Sequence, residues 1–137
     1  SRNTIPGTTV FSIDSRHPDE AILQRMQSDM VRMIEGIADD IGLGIAIETV
    51  TISAPVHFDL SCVEAVREAA GTLGIPCQDI YSGAGHDACK VAAVAPTGMI
   101  FVPCEGGISH NEAENARPDD LAKGAAVLAA AMLARAG

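Results

Sequence analysis

Aromatic side chains are scarce in this sequence, which has no tryptophan, one tyrosine and three phenylalanines among 137 residues. Its core must therefore be built from aliphatic residues and methionine. Apolar residues make up 47% of the chain, which is enough to fill a core of single-domain size.

Basic residues are few, with nine Lys and Arg against 18 Asp and Glu and a formal net charge of -9. Nucleic-acid backbones are bound by clustered lysine and arginine, so we expect no nucleic-acid partner. The longest apolar run near the C-terminus, "AAVLAAAMLA", is too short to span a bilayer, so we expect no membrane association.

Closely spaced cysteine pairs are also missing. The four cysteines, Cys62, Cys77, Cys89 and Cys104, form no CxxC motif, which disfavours a structural zinc site. Scattered cysteines without a recognisable signal peptide are typical of reduced thiols, so we expect a cytoplasmic protein. The sequence contains no GxGxxG, P-loop or GxSxG element.

The first part of the chain predicts a strand, a helix and a second strand. Alternation around Val10 and Ile13 predicts the first strand. An apolar stripe predicts a helix that has Pro18 in its first turn and ends at Gly42. The β-branched run "IAIETVTISA" predicts the second strand.

The second part predicts three helices and a buried strand. Asp59 or Ser61 caps a helix that ends near Gly74, "ACKVAAVA" forms a short helix, and Pro118 begins the last one. The continuous apolar run "GMIFVPC" predicts a strand buried on both faces. We therefore predict the α/β class, in two pieces that cover residues 1–54 and 55–137.

His110, in "GGISHNEAE", is a candidate metal ligand. Glu114 follows four residues later and could orient the imidazole, as carboxylates do for many metal-bound histidines. A zinc ion takes at least three protein ligands, however, so a plain loop histidine is the simpler interpretation of this residue taken alone.

His86, in "SGAGHDA", lies in a glycine-rich turn. Gly83 and Gly85 allow positive φ angles or a close approach of the backbone to a ligand. The imidazole could then donate to a developing oxyanion, although a helix start with Asp87 in its first turn fits equally well. Arg16, in "IDSRHP", could make two parallel hydrogen bonds to a carboxylate, although an exposed arginine at a strand end is more common.

The stretch "SGAGHDA…PTGMIFVPCEGGISHNEAE" resembles the C-terminal half of the hydantoinase/carbamoylase family of binuclear metal amidohydrolases. The opening "NTIPGTTVFSIDSRHPDEAIL" resembles the lid, or dimerisation, domain inserted in the same enzymes. The resemblance implies that residues 1–54 are the second half of this lid. Residues 55–137 would then be the C-terminal part of an α/β metal-dependent catalytic domain.

The resemblance also implies roles for individual residues. His110 would be a metal ligand. His86 would be the catalytic residue that hydrogen-bonds the substrate and the tetrahedral intermediate, with Gly85 beside it. Asn3 and Arg16 would contact the substrate, and Arg16 would hold its carboxylate.

The implied activity is hydrolysis of the linear amide or ureido C–N bond of an N-carbamoyl amino acid or an allantoate-like substrate. The implied cofactors are two divalent metal ions per active site, zinc or manganese, cobalt or nickel, and the implied assembly is a homodimer formed through the lid. In this family the other metal ligands and the glutamate general base precede the second half of the lid, so the chain alone is expected to be inactive. Two alternatives are a metallopeptidase fragment of the same clan and a non-catalytic dimerisation module.

Overall fold

The computed structural model of the protein describes residues 3–136. The chain divides into two compact units, Ser1–Pro55 and Val56–Gly137. The division falls at Pro55, next to the predicted boundary. The identification of the units as a lid half and a catalytic-domain end stays a prediction.

The first unit is built on helix α1, Glu20–Ile41. The side chain of Asp19 caps its start by accepting a hydrogen bond from the backbone N–H of Ile22 at 3.0 Å. Gly42, with a φ of 70°, ends the helix in the left-handed conformation that glycine adopts without strain. The predicted helix is confirmed except at its start, because Asp19 is the cap and Pro18 therefore precedes the first turn.

The second unit is built on helices α2, Leu60–Thr72, and α4, Pro118–Ala136. They pack through a small cluster of buried residues, which are Ala69, Ala70, Val127 and Ala131. Alanine lets two helices approach closely but buries little apolar area, so each contact contributes little to stability. Asp59, rather than Ser61, caps α2, and its carboxylate accepts from the N–H of Cys62 at 3.1 Å.

Short elements between α2 and α4 lie next to the two candidate histidines, His86 and His110. Helix α3, Asp87–Val91, begins directly after His86 and is shorter than predicted. A 3₁₀ turn, Glu105–Gly107, lies a few residues before His110. No helix within residues 3–136 combines the length and the apolar character needed to cross a bilayer.

The predicted α/β class is not confirmed, because residues 3–136 contain helices and no strands. The predicted strands around Val10, at residues 45–54 and at residues 98–104 are absent as hydrogen-bonded strands. A strand needs a neighbour for its backbone N–H and C=O groups, and no backbone ladder joins these stretches within the described part of the chain. The apolar side chains of the first two stretches are largely exposed, Val10 by 90% and Val50 by 86%. Those of the third stretch, such as Met99, Ile100 and Val102, are half-buried.

Candidate active site

The His86 loop, defined as Ser82–His86, is organised around a serine hydroxyl. The Oγ of Ser82 lies 2.6 Å from Nε2 of His86 and accepts a hydrogen bond from the backbone N–H of Ala84 at 3.2 Å. The imidazole of His86 packs edge-to-face against the ring of Phe101, with the ring centroids 5.5 Å apart and an interplanar angle of 66°. The imidazole is therefore fixed by one polar and one aromatic contact.

The two glycines of this loop do not adopt the positive φ angles that one interpretation of the sequence suggested. Neither Gly83 nor Gly85 has a positive φ, so that explanation of the glycine padding is wrong. A Cβ built on Gly85 would meet nothing within 4 Å among the described residues. The space beside this backbone is open, which is compatible with the close approach of a ligand.

The His110 loop, defined as residues 104–115, holds its histidine in an uncommon conformation. His110 has a φ of 55°, in the left-handed region. Its backbone N–H donates to Oε2 of Glu114 at 2.7 Å, and its Nδ1 lies 2.8 Å from the Oγ of Ser109. Glu114 thus holds the backbone of His110, whereas the sequence interpretation expected the carboxylate to orient the imidazole.

The base of the His110 loop is closed by Glu105 and Asn115. The N–H of Glu105 donates to the carbonyl of Asn115 at 2.7 Å, and the side-chain amide of Asn115 donates to Oε2 of Glu105 at 2.9 Å. Gly106 and Gly107, with φ of 63° and 68°, make the turn that follows. These contacts tie the two ends of the loop together.

Arg16 binds a carboxylate of its own unit. Its Nε donates to Oδ1 of Asp14 at 2.9 Å, and its terminal nitrogen Nη2 pairs with Oδ2 of the same residue. The hydrogen bond to Asp14 raises the pKa of the Arg16 guanidinium and lowers that of the Asp14 carboxyl. Asn3, the other lid residue implied to contact substrate, is exposed in a turn.

The candidate site residues are distributed over both units. Asn3 and Arg16 belong to Ser1–Pro55, whereas Gly85, His86 and His110 belong to Val56–Gly137. Within residues 3–136, no three His, Cys, Asp or Glu side chains form a group that could hold a metal ion. His110 is suited to be one ligand, because imidazole is a common metal donor and its Nε2 has no hydrogen-bond partner in the described part.

Sequence reasoning missed the residues that hold the two histidines. Ser82 stands four residues before His86 and Ser109 directly before His110, and hydroxyls at such short separations could have been considered as imidazole partners. Phe101 could not have been found, because its contact with His86 depends on how the chain folds.

Comparison with known proteins identifies the family. The sequence profile described as peptidase family M20/M25/M40 matches residues 6–134. An N-carbamoyl-L-amino-acid amidohydrolase from Rhizobium meliloti is 48% identical over 133 residues, which are 97% of this chain and 32% of that protein. An allantoate amidohydrolase from Escherichia coli K12 is 38% identical over 127 residues, 93% of this chain and 31% of that protein.

Solved structures similar to this chain include amidases of the hydantoinase/carbamoylase family. A crystal structure of an amidase of the hydantoinase/carbamoylase family from Burkholderia multivorans superposes with a TM-score of 0.84 and 55% identity over 87% of this chain and 29% of that chain. The chain thus spans about a third of the length of the relatives that it matches. The resemblance seen in the two histidine loops is confirmed, and the chain belongs to the peptidase family M20/M25/M40.

Proposed function

We propose that the chain is part of a metal-dependent amidohydrolase that cleaves the linear amide or ureido C–N bond of an N-carbamoyl amino acid or an allantoate-like substrate. The observation that carries the proposal is the 48% identity to the amidohydrolase from Rhizobium meliloti across 97% of this chain. Allantoate amidohydrolases from Escherichia coli and Bacillus subtilis, at 38% and 39% identity, act on a substrate with the same ureido chemistry.

His86 is the catalytic residue of this proposal. Attack on an amide or ureido carbonyl places negative charge on its oxygen, and a preorganised donor stabilises that charge. The contacts with Ser82 and Phe101 support this role, because they hold the imidazole in one orientation. The open space beside Gly85 supports the approach of a substrate to the neighbouring backbone.

Arg16 and Asn3 are the substrate-binding residues supplied by the first unit. The pairing of Arg16 with Asp14 supports a carboxylate-binding role, because the guanidinium already makes two parallel contacts of the kind that a substrate carboxylate would accept. A substrate carboxylate would then take the place of Asp14.

His110 is the metal ligand of this proposal. The described residues fit one ligand and not a complete site, so the remaining ligands and the general base would come from outside them. The divalent ions proposed, zinc or manganese, cobalt or nickel, would when bound polarise the substrate carbonyl and acidify a water molecule. For the same reason the chain alone would be inactive.

The same proposal includes the α/β class, the assignment of the units to lid and catalytic domain, a homodimer formed through the lid, and a cytoplasmic location. The exposed apolar residues of the first unit, such as Phe11 at 71% and Ile52 at 71%, support a partner surface there. All four cysteines are free thiols, which are typical of a reducing compartment.

A substrate panel tests the proposal. The protein, extended to the length of its relatives and supplied with divalent metal, is assayed with N-carbamoyl-L-amino acids, allantoate and dipeptides. We expect ammonia release from the ureido compounds and little cleavage of the dipeptides. Preferential cleavage of the dipeptides would contradict the proposal and indicate a peptidase. Inactivity on every compound would favour a non-catalytic module.

A further inference from the structure

The backbone of His110 is held in a conformation that its own residue type disfavours. It is the one non-glycine residue among residues 3–136 with a positive φ. The left-handed region crowds the Cβ of an L-residue, so such a residue keeps this conformation when neighbouring contacts impose it. The contacts that do so around His110 can be identified.

Glu114 supplies the main contact. One of its carboxylate oxygens, Oε2, accepts the N–H of His110 at 2.7 Å, a charge-assisted hydrogen bond. Its other oxygen, Oε1, lies 3.9 Å from the thiol of Cys104, at the opposite end of the loop. The N–H of Glu114 itself donates to the carbonyl of Asn111 at 2.9 Å. Glu114 is therefore bonded to residues on both sides of His110.

Ser109 determines which imidazole nitrogen is available. Its hydroxyl lies 2.8 Å from Nδ1 of His110, so that nitrogen is engaged within the loop. Nε2 has no hydrogen-bond partner within residues 3–136, and the side chain is exposed. The hydrogen bonds of the loop thus engage Nδ1 and leave Nε2 of His110 available to a ligand.

We propose that Glu114 is a positioning residue that fixes the backbone of His110, so that the loop presents Nε2 in one orientation before a metal binds. The inference rests on the proposed function of His110 as a metal ligand. Glu114 is not itself a metal ligand, because both of its oxygens face groups of its own loop. Loss of Glu114 therefore weakens metal binding through His110 only.

The first arm of the test follows amide hydrogen exchange at His110 in the metal-free chain by NMR. We expect Glu114→Ala to accelerate exchange of this N–H roughly tenfold or more, the effect of losing a hydrogen bond to a charged group. Glu114→Gln keeps an acceptor oxygen, so its exchange rate at this N–H should fall between those of the wild-type chain and Glu114→Ala. Glu112→Ala removes a carboxylate of the same loop that makes no hydrogen bond to His110 within residues 3–136, and should leave this exchange rate unchanged.

Protection of the amides in α4 shows in each variant that the fold is intact. If Glu114→Ala loses this protection, Glu114→Gln decides the outcome, because it alters the shape of the side chain least. Equal exchange at His110 in the wild-type chain and in the folded Glu114 variants would overturn the proposal. A wild-type His110 amide that is unprotected while α4 is protected would overturn it as well.

The second arm measures Zn²⁺ affinity, by competition with a chelator, in the protein extended to the length of its relatives. We expect about 10- to 100-fold weaker binding in Glu114→Ala, the usual effect of removing a residue that supports a ligand, with a smaller loss in Glu114→Gln and the largest in His110→Ala. A loss in Glu114→Gln equal to that in His110→Ala would make Glu114 a ligand and overturn the positioning role. Unchanged affinity in His110→Ala would instead refute the proposed metal role of His110, and the amide exchange would still decide whether Glu114 positions it.

Discussion

At the scale of single residues, a serine hydroxyl determines how each candidate histidine is presented. Ser82 engages Nε2 of His86, and Ser109 engages Nδ1 of His110. The two imidazoles therefore offer opposite nitrogens, Nδ1 of His86 and Nε2 of His110. Composition alone left both histidines undecided, and their predicted roles came from the resemblance of "SGAGHDA" and "GISHNEAE" to the hydantoinase/carbamoylase family. The sequence could not predict which nitrogen each one offers, since that depends on contacts that form only in the folded loop.

Arg16 gives a prediction at this scale. In the protein extended to the length of its relatives, Arg16→Lys should raise KM roughly tenfold for a substrate with an α-carboxylate, because lysine keeps the charge and loses the two parallel contacts. Arg16→Ala should raise it further. Steady-state kinetics with a matched substrate that lacks the carboxylate is the control, and its KM should barely change. Equal losses for both substrates would mean that Arg16 has a structural role.

At the scale of elements, the sequence predicted the helices correctly, whereas the strands that it predicted are absent from residues 3–136. Gly42 and Asp59 mark helix ends through local hydrogen bonds between residues close in sequence, and the structure uses both, whereas the cap at Asp19 was not predicted. The β-branched runs carry only a tendency to be extended, and a strand forms when another segment supplies the hydrogen-bonding partner. Since no partner pairs with these runs inside residues 3–136, the pattern alone predicted more regular structure than the chain has.

Gly124 of α4 packs closely against Val102, so we expect a larger side chain at position 124 to clash. A Cβ on Gly124 would lie 2.5 Å from Cγ1 of Val102, whose side chain is stiff. We expect Gly124→Ala to lower the free energy of unfolding by about 1–2 kcal/mol, because the overpacking of about 1–3 kcal/mol outweighs the gain in helix propensity of up to about 1 kcal/mol.

Gly71 in α2 is the matched control, because a Cβ there meets nothing within 4 Å. Gly71→Ala should stabilise the chain by up to about 1 kcal/mol. Urea denaturation followed by circular dichroism measures both variants. Stabilisation of similar size in the two would contradict the close contact between Gly124 and Val102.

The cap of α2 predicts a dependence of stability on acid. Hydrogen bonds from the hydroxyl of Ser61, and then from the N–H of Cys62, lower the pKa of Asp59 below its ordinary value of 3.8. A carboxyl whose pKa is lower in the folded state stabilises the fold above its unfolded pKa, and this stabilisation is lost as the pH falls through the folded pKa. We therefore expect the stabilisation by this cap to start to decline below about pH 4 and to be lost at lower pH, as the folded carboxyl is protonated.

Asp59→Asn separates this effect from general acid denaturation, because asparagine also caps helices and does not titrate. Thermal melts followed by circular dichroism between about pH 5 and pH 2.5 should show a smaller fall of Tm for Asp59→Asn than for the wild-type chain. Parallel curves of Tm against pH for the two proteins would show that the charge of Asp59 does not stabilise the fold.

At the scale of the whole molecule, the chain consists of two units whose apolar residues are mostly exposed. The buried residues Leu23 and Ala38 belong to the first unit, and the alanine-rich cluster between α2 and α4 belongs to the second. Large apolar side chains such as Ile5 at 92% and Leu133 at 75% remain exposed. The chain matches about a third of the length of its relatives, and much of the apolar surface of residues 3–136 is exposed.

Metal binding gives a prediction at this scale. The 137-residue chain should bind Zn²⁺ weakly, because His110 is one ligand and a zinc site takes at least three protein ligands. Isothermal titration calorimetry should show no saturable site at micromolar Zn²⁺, with His110→Ala as the control. Tight stoichiometric binding that His110→Ala abolishes would show that the chain holds a complete site.

We propose that His86 and His110 serve one amidohydrolase active site. Ammonia release from an N-carbamoyl-L-amino acid tests this, measured with the metal-loaded protein, extended to the length of its relatives, in wild-type, His86→Ala and His110→Ala forms. We expect His86→Ala to lower kcat by about 10²- to 10³-fold with its metal content unchanged, as for loss of an oxyanion donor, and His110→Ala to lose both metal and activity. Wild-type rates in both variants would contradict the claim.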